Sequence, residues 1–215
     1  MQLLLDSADI DEAQKCAEWG WVYGITTNPA ILAKSGIPAE KTLAKLKKII
    51  KGPIFYQLTA KTVKEMKLEA KYAADILNKQ LVLKIPACEI GFQAVTYLSK
   101  KYTCAVTSIF SPAQALVAHA AGAKYALYYH NRAKRLLDDG KDLAHELVVA
   151  LKRTNTIVVA ASLKSPQEVV EARSAGVPIL STTFAVLQQM AQHDLSDQAI
   201  ADFNRAGIGL NFKEK

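Results

Sequence analysis

The chain has 215 residues, half of them hydrophobic, and 27 lysines and arginines against 20 aspartates and glutamates give a formal net charge of +7. This length and composition indicate one globular domain with a full core and exclude a disordered chain. No apolar run approaches a membrane span and no signal peptide is evident, so we expect a cytoplasmic protein without a membrane partner. The three scattered cysteines argue against a disulfide framework and show no metal-ligand spacing.

The excess of positive charge is also typical of nucleic-acid-binding proteins. Here, however, the lysines are spread along amphipathic segments such as 41–48 and 61–71, and no RNA- or DNA-binding motif accompanies them. They indicate solvated helix faces with some attraction for anionic substrates, and we expect no nucleic-acid partner.

Short apolar runs alternate with amphipathic segments along the whole chain. We predict strands at 3–6, 22–28, 54–58, 81–85, 103–107, 125–129, 156–162 and 177–182. Helices are predicted after each strand, including a stretch that runs to about 153 with a break at Gly140, and a last amphipathic helix over 196–205.

Strand and helix alternate at a spacing of roughly 25 residues, which is the pattern of a parallel α/β domain. About eight such units close a TIM barrel. A doubly wound open sheet is the alternative, but no glycine-rich or Walker turn follows the first strand. No linker divides the chain, so we predict a single-domain (β/α)8 barrel over 1–215, with an extra C-terminal helix and tail at 196–215.

The run Leu81-Val82-Leu83-Lys84-Ile85, before Pro86, contains one residue that does not fit it. The run is typical of a strand buried on both faces, yet lysine is almost never fully buried without a partner. Lys84 therefore lies either at an exposed strand tip or in an enclosed pocket. In a pocket, desolvation lowers the lysine pKa from its usual value of about 10.4, and the free amine attacks carbonyls to form Schiff bases. Taken alone, this segment favours the exposed tip.

A polar side chain stands at the carboxyl end of every predicted strand. In TIM barrels the active site lies at these ends, so the set as a whole predicts a site. Taken singly, several members have ordinary explanations, such as helix capping, a turn before Pro29, or packing of a tyrosine. The eight residues are Asp6, Asn28, Gln57, Lys84, Thr107, Tyr129, Ser162 and Thr182.

Five motifs carry a resemblance to a known family. In chain order they resemble the successive motifs of the transaldolase family, most closely its short fructose-6-phosphate aldolase-like branch. The resemblance extends from the first strand to the Gln188-Gln189-Met190 segment. The motifs are Leu5-Asp6-Ser7, Gly24-Ile25-Thr26-Thr27-Asn28-Pro29, Val82-Leu83-Lys84-Ile85-Pro86, Tyr129-His130-Asn131-Arg132 and Ala160-Ala161-Ser162-Leu163-Lys164.

The resemblance implies a class I aldolase that needs no metal or organic cofactor and uses Lys84 as its Schiff-base lysine. It further implies a catalytic group around that lysine and a substrate-binding group for the hydroxyls and the phosphate of a sugar phosphate. The catalytic group comprises Asp6, Gln57, Thr107 and Tyr129, and the binding group comprises Thr26, Asn28, Arg132, Ser162 and Lys164.

Two positions distinguish the branches of the family. By the same resemblance, the transaldolase branch has Glu on the third strand and Phe on the sixth, whereas the aldolase branch has Gln and Tyr there. This chain has Gln57 and Tyr129 and is similar to the aldolase branch. We therefore expect an aldolase that cleaves fructose 6-phosphate into dihydroxyacetone and glyceraldehyde 3-phosphate. The alternatives are a transaldolase, a deoxyribose-phosphate type of aldolase, or a barrel that binds sugar phosphates without catalysis.

Two further expectations follow from the resemblance. By the resemblance, the family has a small residue followed by proline at the positions that Leu127 and Tyr128 occupy in this chain. We expect the leucine to crowd the dihydroxyacetone pocket. The resemblance also implies ring-shaped homo-oligomers, pentamers or decamers, in which the C-terminal helix contacts a neighbouring subunit. We expect the last helix of this chain to do the same.

Overall fold

The computed structural model describes residues 1–137 and 142–210 and shows a closed barrel of eight parallel strands in sequence order. The predicted (β/α)8 barrel is confirmed. The strands are β1 Gln2–Asp6, β2 Gly24–Thr26, β3 Ile54–Gln57, β4 Leu81–Pro86, β5 Thr103–Ile109, β6 Tyr125–Tyr129, β7 Ile157–Leu163 and β8 Ile179–Thr182.

The described residues form eleven α-helices, several of them starting at a side-chain cap. Asp9, Asn28, Thr62, Ser111 and Ser165 accept backbone N–H groups of the helices that follow them. The helices are α1 Ile10–Trp19, α2 Pro29–Lys34, α3 Ala39–Ile49, α4 Val63–Leu77, α5 Glu89–Leu98, α6 Pro112–Ala120, α7 His130–Leu136, α8 Leu143–Ala150, α9 Pro166–Ser174, α10 Phe184–Met190 and α11 Asp194–Ala206.

The barrel interior is filled by its own apolar cluster, separate from the larger core between sheet and helices. Because side chains alternate across a strand, the residue two positions further along each strand also faces inward, nearer the carboxyl end. The interior cluster therefore forms a floor beneath the strand-end side chains. Its buried members are Leu4, Phe55, Val82, Ala105, Leu127, Val159, Ala161 and Ile179.

All eight predicted strands exist, with small differences at their ends. The second is shorter than predicted, because Asn28 leaves the strand to cap α2. The registers of β5 with β6 and of β7 with β8 shift near Ser108 and Ser162, which have positive φ angles of 64° and 59°. The last helix begins at Asp194, two residues before its predicted start. The predicted break at Gly140 lies outside the described residues.

None of the helices in the described part of the chain is both long and apolar enough to cross a membrane.

Candidate active site

Lys84 is enclosed within the barrel and not exposed at a strand tip. Its side chain is 3% exposed, and its Nζ donates to the Thr27 carbonyl oxygen at 2.8 Å. Burial lowers the pKa of Lys84 to about 8, and the nearby Asp6 carboxylate opposes that shift. At pH 7 roughly one-tenth of the amine is therefore free, far more than an exposed lysine offers. Such an amine is suited to attack a carbonyl carbon.

Asp6 is held by a chain of buried hydroxyls. Thr26 Oγ1 donates to Asp6 Oδ1 at 2.7 Å, and Ser181 Oγ lies 2.6 Å from Thr26 Oγ1. When Asp6 is ionised its carboxylate only accepts hydrogen bonds, so the single hydroxyl proton of Thr26 goes to Asp6 and Ser181 donates to Thr26. This chain fixes one carboxylate oxygen and leaves the other free for Lys84 or a substrate hydroxyl.

Tyr129 is the last residue of β6, at its carboxyl end, and its side chain contacts hydroxyls on the neighbouring strand β5. Its Oη is 3.1 Å from Thr107 Oγ1, and Ser108 Oγ donates to it at 3.3 Å. On the other neighbour of β4, strand β3, Gln57 is the direct register partner of Lys84. Gln57 and Tyr129 line the same cavity as the buried Lys84 amine, and the hydroxyls of Thr107 and Ser108 contact Tyr129. Together these groups are able to bind a water molecule and to move protons.

A cavity of about 780 Å³ opens at the carboxyl ends of the strands and contains Lys84 in its wall. Eight residues that the sequence predicted for the site line it together. The same cavity also reaches Ser7, Glu12, Lys34 and Thr183, which the sequence analysis did not single out. The eight are Asp6, Asn28, Gln57, Lys84, Tyr129, Arg132, Ser162 and Lys164.

One side of this cavity carries cationic groups. The Arg132 guanidinium lies 5.0 Å from the centre of the Tyr129 ring, a cation–π contact that orients it. Ser162 lies in the strained left-handed region with φ 59°, and Lys164 follows two residues later. An arginine fork and a lysine beside a hydroxyl suit an anion such as a phosphate group.

The remaining predicted residues occupy different places. Thr26 and Thr107 lie behind the cavity wall and contact its members through hydrogen bonds. Thr182 is buried and donates to the Leu163 carbonyl oxygen, so its hydroxyl is not presented to the cavity. Leu127 packs in the floor cluster below Tyr129 and is not among the residues that line the cavity, and the expected crowding of the dihydroxyacetone pocket stays a prediction.

Ser181 is the member of the hydroxyl chain that sequence reasoning missed. It precedes the last residue of β8, and Thr182 was chosen because it ends the strand. Side chains alternate along a strand, and Ile179 faces the barrel interior, so Ser181 faces the interior as well. Following this alternation along β8 would have found Ser181, whereas choosing the last residue of the strand did not. Within residues 1–137 and 142–210, no group of three or more His, Cys, Asp or Glu side chains is arranged to hold a metal ion.

A family model described as transaldolase/fructose-6-phosphate aldolase matches residues 3–213. The chain belongs to this family. It is therefore an enzyme of the aldolase or transaldolase type, and the resemblance found in the sequence motifs is confirmed.

Among curated relatives of this transaldolase/aldolase family member are proteins named probable transaldolase. The protein of Brachyspira hyodysenteriae is 37% identical over 210 residues, covering 95% of this chain and 96% of the relative. That of Caldicellulosiruptor saccharolyticus is also 37% identical, over 207 residues, covering 94% and 95% of the two chains.

Among solved structures, orotidine 5'-monophosphate decarboxylase from Metallosphaera sedula is similar with a TM-score of 0.63, covering 95% of this chain and 97% of that one. At 15% identity this similarity supports the barrel fold alone.

Proposed function

We propose that this enzyme is a Schiff-base aldolase whose nucleophile is Lys84, acting on fructose 6-phosphate or a similar ketose phosphate. The observation that carries the proposal is the enclosed Lys84 amine, whose pKa is lowered to about 8 by burial at the wall of a large polar cavity. A buried lysine in such a cavity is a candidate functional group on physical grounds alone.

In the first stage the free amine of Lys84 attacks the ketone carbon, and loss of water leaves an iminium. Asp6 stands next to this nitrogen, and its negative charge stabilises the positive charge that forms there. Asn28, whose amide oxygen caps α2 while its side chain lines the cavity, orients substrate hydroxyls. Thr26 acts from behind the wall by holding the Asp6 carboxylate.

In the second stage Tyr129 removes the proton of the C4 hydroxyl through a water molecule held with Gln57 and Thr107. The C3–C4 bond breaks, its electron pair enters the iminium system to form an enamine, and glyceraldehyde 3-phosphate leaves. The enamine is then protonated at carbon, and water hydrolyses the iminium to release dihydroxyacetone and the Lys84 amine. Acid–base groups in such roles contribute about 10²–10⁴-fold to rate.

The phosphate of the substrate is assigned to the cationic side of the cavity. That side is lined by Arg132, Ser162 and Lys164, which lie at or just beyond the carboxyl ends of β6 and β7. A net charge of +7 adds a long-range attraction for anionic sugar phosphates.

The second candidate function is a transaldolase, favoured by the names of the relatives. A transaldolase protects the enamine from water and passes the dihydroxyacetone unit to an acceptor aldehyde. Gln57 and Tyr129 favour the aldolase, because both line the cavity beside Lys84 and are able to hold the water that closes the cycle.

One experiment tests both candidates. The enzyme is mixed with excess fructose 6-phosphate without any acceptor, and release of glyceraldehyde 3-phosphate is followed with a coupled dehydrogenase. Continuous release supports the aldolase. A burst of one equivalent per subunit that resumes on addition of erythrose 4-phosphate identifies a transaldolase and overturns the roles of Gln57 and Tyr129.

The control is Lys84→Arg, assayed in parallel and trapped with borohydride before peptide mass spectrometry. We expect a reduced three-carbon adduct on Lys84 in the original enzyme, and neither adduct nor turnover in the variant. Full activity of Lys84→Arg, or of Lys84→Ala, would overturn the covalent route and favour a barrel that acts in some other way.

A further inference from the structure

The carboxylate of Glu168 joins two segments that both contribute to the cationic side of the cavity. Glu168 Oε1 accepts from Asn131 Nδ2 at 2.7 Å, and Glu168 Oε2 accepts from the Lys164 backbone N–H at 2.8 Å. Asn131 precedes Arg132 in the first turn of α7, while Lys164 belongs to the segment between β7 and α9 that begins with Ser162. One side chain on α9 thus spans the gap between the two halves of the candidate phosphate site.

Resting on the proposed function, we propose that Glu168 is a positioning residue for the phosphate of the substrate. It fixes the distance between Arg132 and the Ser162–Lys164 segment, so that both meet the same phosphate group. Its own charge is compatible with a nearby anion because both oxygens already accept N–H groups, at the N-terminal end of α9 where a negative charge is favourable.

Helix capping alone does not account for these contacts. Ser165 caps α9 by accepting the Glu168 N–H at 3.2 Å, and an acidic residue three positions after such a cap commonly bonds back to the start of the helix. The bond from Asn131 is different, because it comes from another helix, 37 residues away in sequence. It contributes nothing to the cap of α9 and holds only the first turn of α7.

Glu171 offers a matched comparison one turn further along α9. Its carboxylate also ties α9 to α7, by accepting from Lys134 Nζ at 2.6 Å, and it lies 3.5 Å from His130 Nε2. Among the described residues, no hydrogen bond joins Glu171 to Asn131 or to the segment after β7, whose bonds go to Glu168. If substitution of either glutamate reduces activity equally, the cause is weakened packing between α7 and α9. If only substitution of Glu168 does so, the cause lies in the phosphate site.

The test compares Glu168→Gln and Glu171→Gln with the original enzyme. A glutamine at 168 retains one acceptor oxygen for the helix cap but cannot accept both N–H groups. We expect Glu168→Gln to raise the KM for fructose 6-phosphate, and the inhibition constant for inorganic phosphate, by roughly five- to tenfold, the loss of about one charge-assisted hydrogen bond. The kcat should change less than about twofold.

Dihydroxyacetone, which has no phosphate, provides the second readout. Its borohydride trapping on Lys84 should proceed at the same rate in all three proteins. Asn131→Ala should reproduce the KM effect of Glu168→Gln, and the double variant should show less than the sum, because both changes break the same bond.

Each other outcome overturns the inference. If Glu168 merely repels the phosphate, its replacement by glutamine will lower the KM and the phosphate inhibition constant. Equal effects of the two variants, or an equal loss of dihydroxyacetone trapping, would assign Glu168 to packing. Failure of the original enzyme to trap dihydroxyacetone on Lys84 would instead overturn the proposed function, so the two failures are distinguishable.

Discussion

At Lys84, burial acts on folding and on chemistry in opposite directions. Because the pKa falls from 10.5 to about 8, the folded state binds a proton less readily than the unfolded chain. Stability therefore rises with pH between about 8 and 10.5, and below pH 8 the enclosed ammonium costs about 3 kcal/mol. The same shift supplies the free amine that a Schiff base needs. This residue is thus unfavourable for the fold and useful for the reaction.

The shifted pKa leads to a pH prediction at the scale of this residue. We expect kcat/KM for fructose 6-phosphate cleavage to rise about tenfold per pH unit below pH 8 and to level off above it, since the unprotonated amine of the free enzyme is the reactive form. Initial rates at low substrate concentration between pH 6 and pH 9.5 measure this profile. A profile that keeps rising through pH 9.5 would contradict an enclosed lysine.

Other residues of the site were predictable in type but not in arrangement. The polar strand ends Asp6, Gln57 and Tyr129 were visible in the sequence, because polar groups interrupt apolar runs. The hydrogen bond between Thr26 and Ser181 was not, since 155 residues separate them in sequence and only barrel closure brings them together. The positive φ of Ser162 likewise has no signal in its local sequence.

At the scale of elements, the strands and most helix starts were predictable from local chemistry. Apolar runs bounded by turn residues gave all eight strands, because their periodicity reflects burial. The end of the second strand at Thr26 was less accessible, because Asn28 is able both to extend a strand and to cap a helix. Tertiary contacts decide between two such local options.

The junction between β4 and α5 depends on one glycine. Gly91 is buried in the first turn of α5, and an added Cβ would overlap the backbone carbonyl oxygen of Pro86, two residues after Lys84. We expect Gly91→Ala to lower the free energy of unfolding by about 1–3 kcal/mol, because the backbone must shift to make room. Urea unfolding measures the change.

The matched control is Gln93→Ala, at an exposed position of the same helix. It should leave the free energy of unfolding within about 0.5 kcal/mol of the original value. If Gly91→Ala is equally neutral, then α5 is able to move away from β4 without cost, and the junction is less tightly packed than the structure indicates.

At the scale of the whole molecule, α11 is unusual because it has no packed face. Every residue from Ala191 to Leu210 is exposed, and the helix carries the large apolar side chains Leu195, Ile200 and Phe203 on one stripe, the last of them 76% exposed. An amphipathic helix normally buries such a stripe. We propose that it packs on a neighbouring subunit of a homo-oligomer, as the family resemblance leads us to expect.

This proposal predicts a change of mass on substitution within the stripe. Phe203→Glu should shift the protein from an oligomer towards a monomer, because a charge cannot be buried in an apolar contact without a partner. Light scattering coupled to gel filtration measures the mass. Ala201→Glu, on the opposite side of α11, is the control and should leave the oligomer intact. A monomeric original protein, or an unchanged mass for Phe203→Glu, would refute the contact.

The sequence by itself determined the alternating elements, the barrel, the family and the residue types of the site, because periodicity, caps and short motifs are local properties. The tertiary structure decided what those residues do to one another. Lys84 meets the carbonyl of Thr27, 57 residues away, only because the barrel closes around it. That closure excludes water, and the exclusion of water is what lowers the pKa of Lys84 and turns an ordinary strand lysine into a candidate nucleophile.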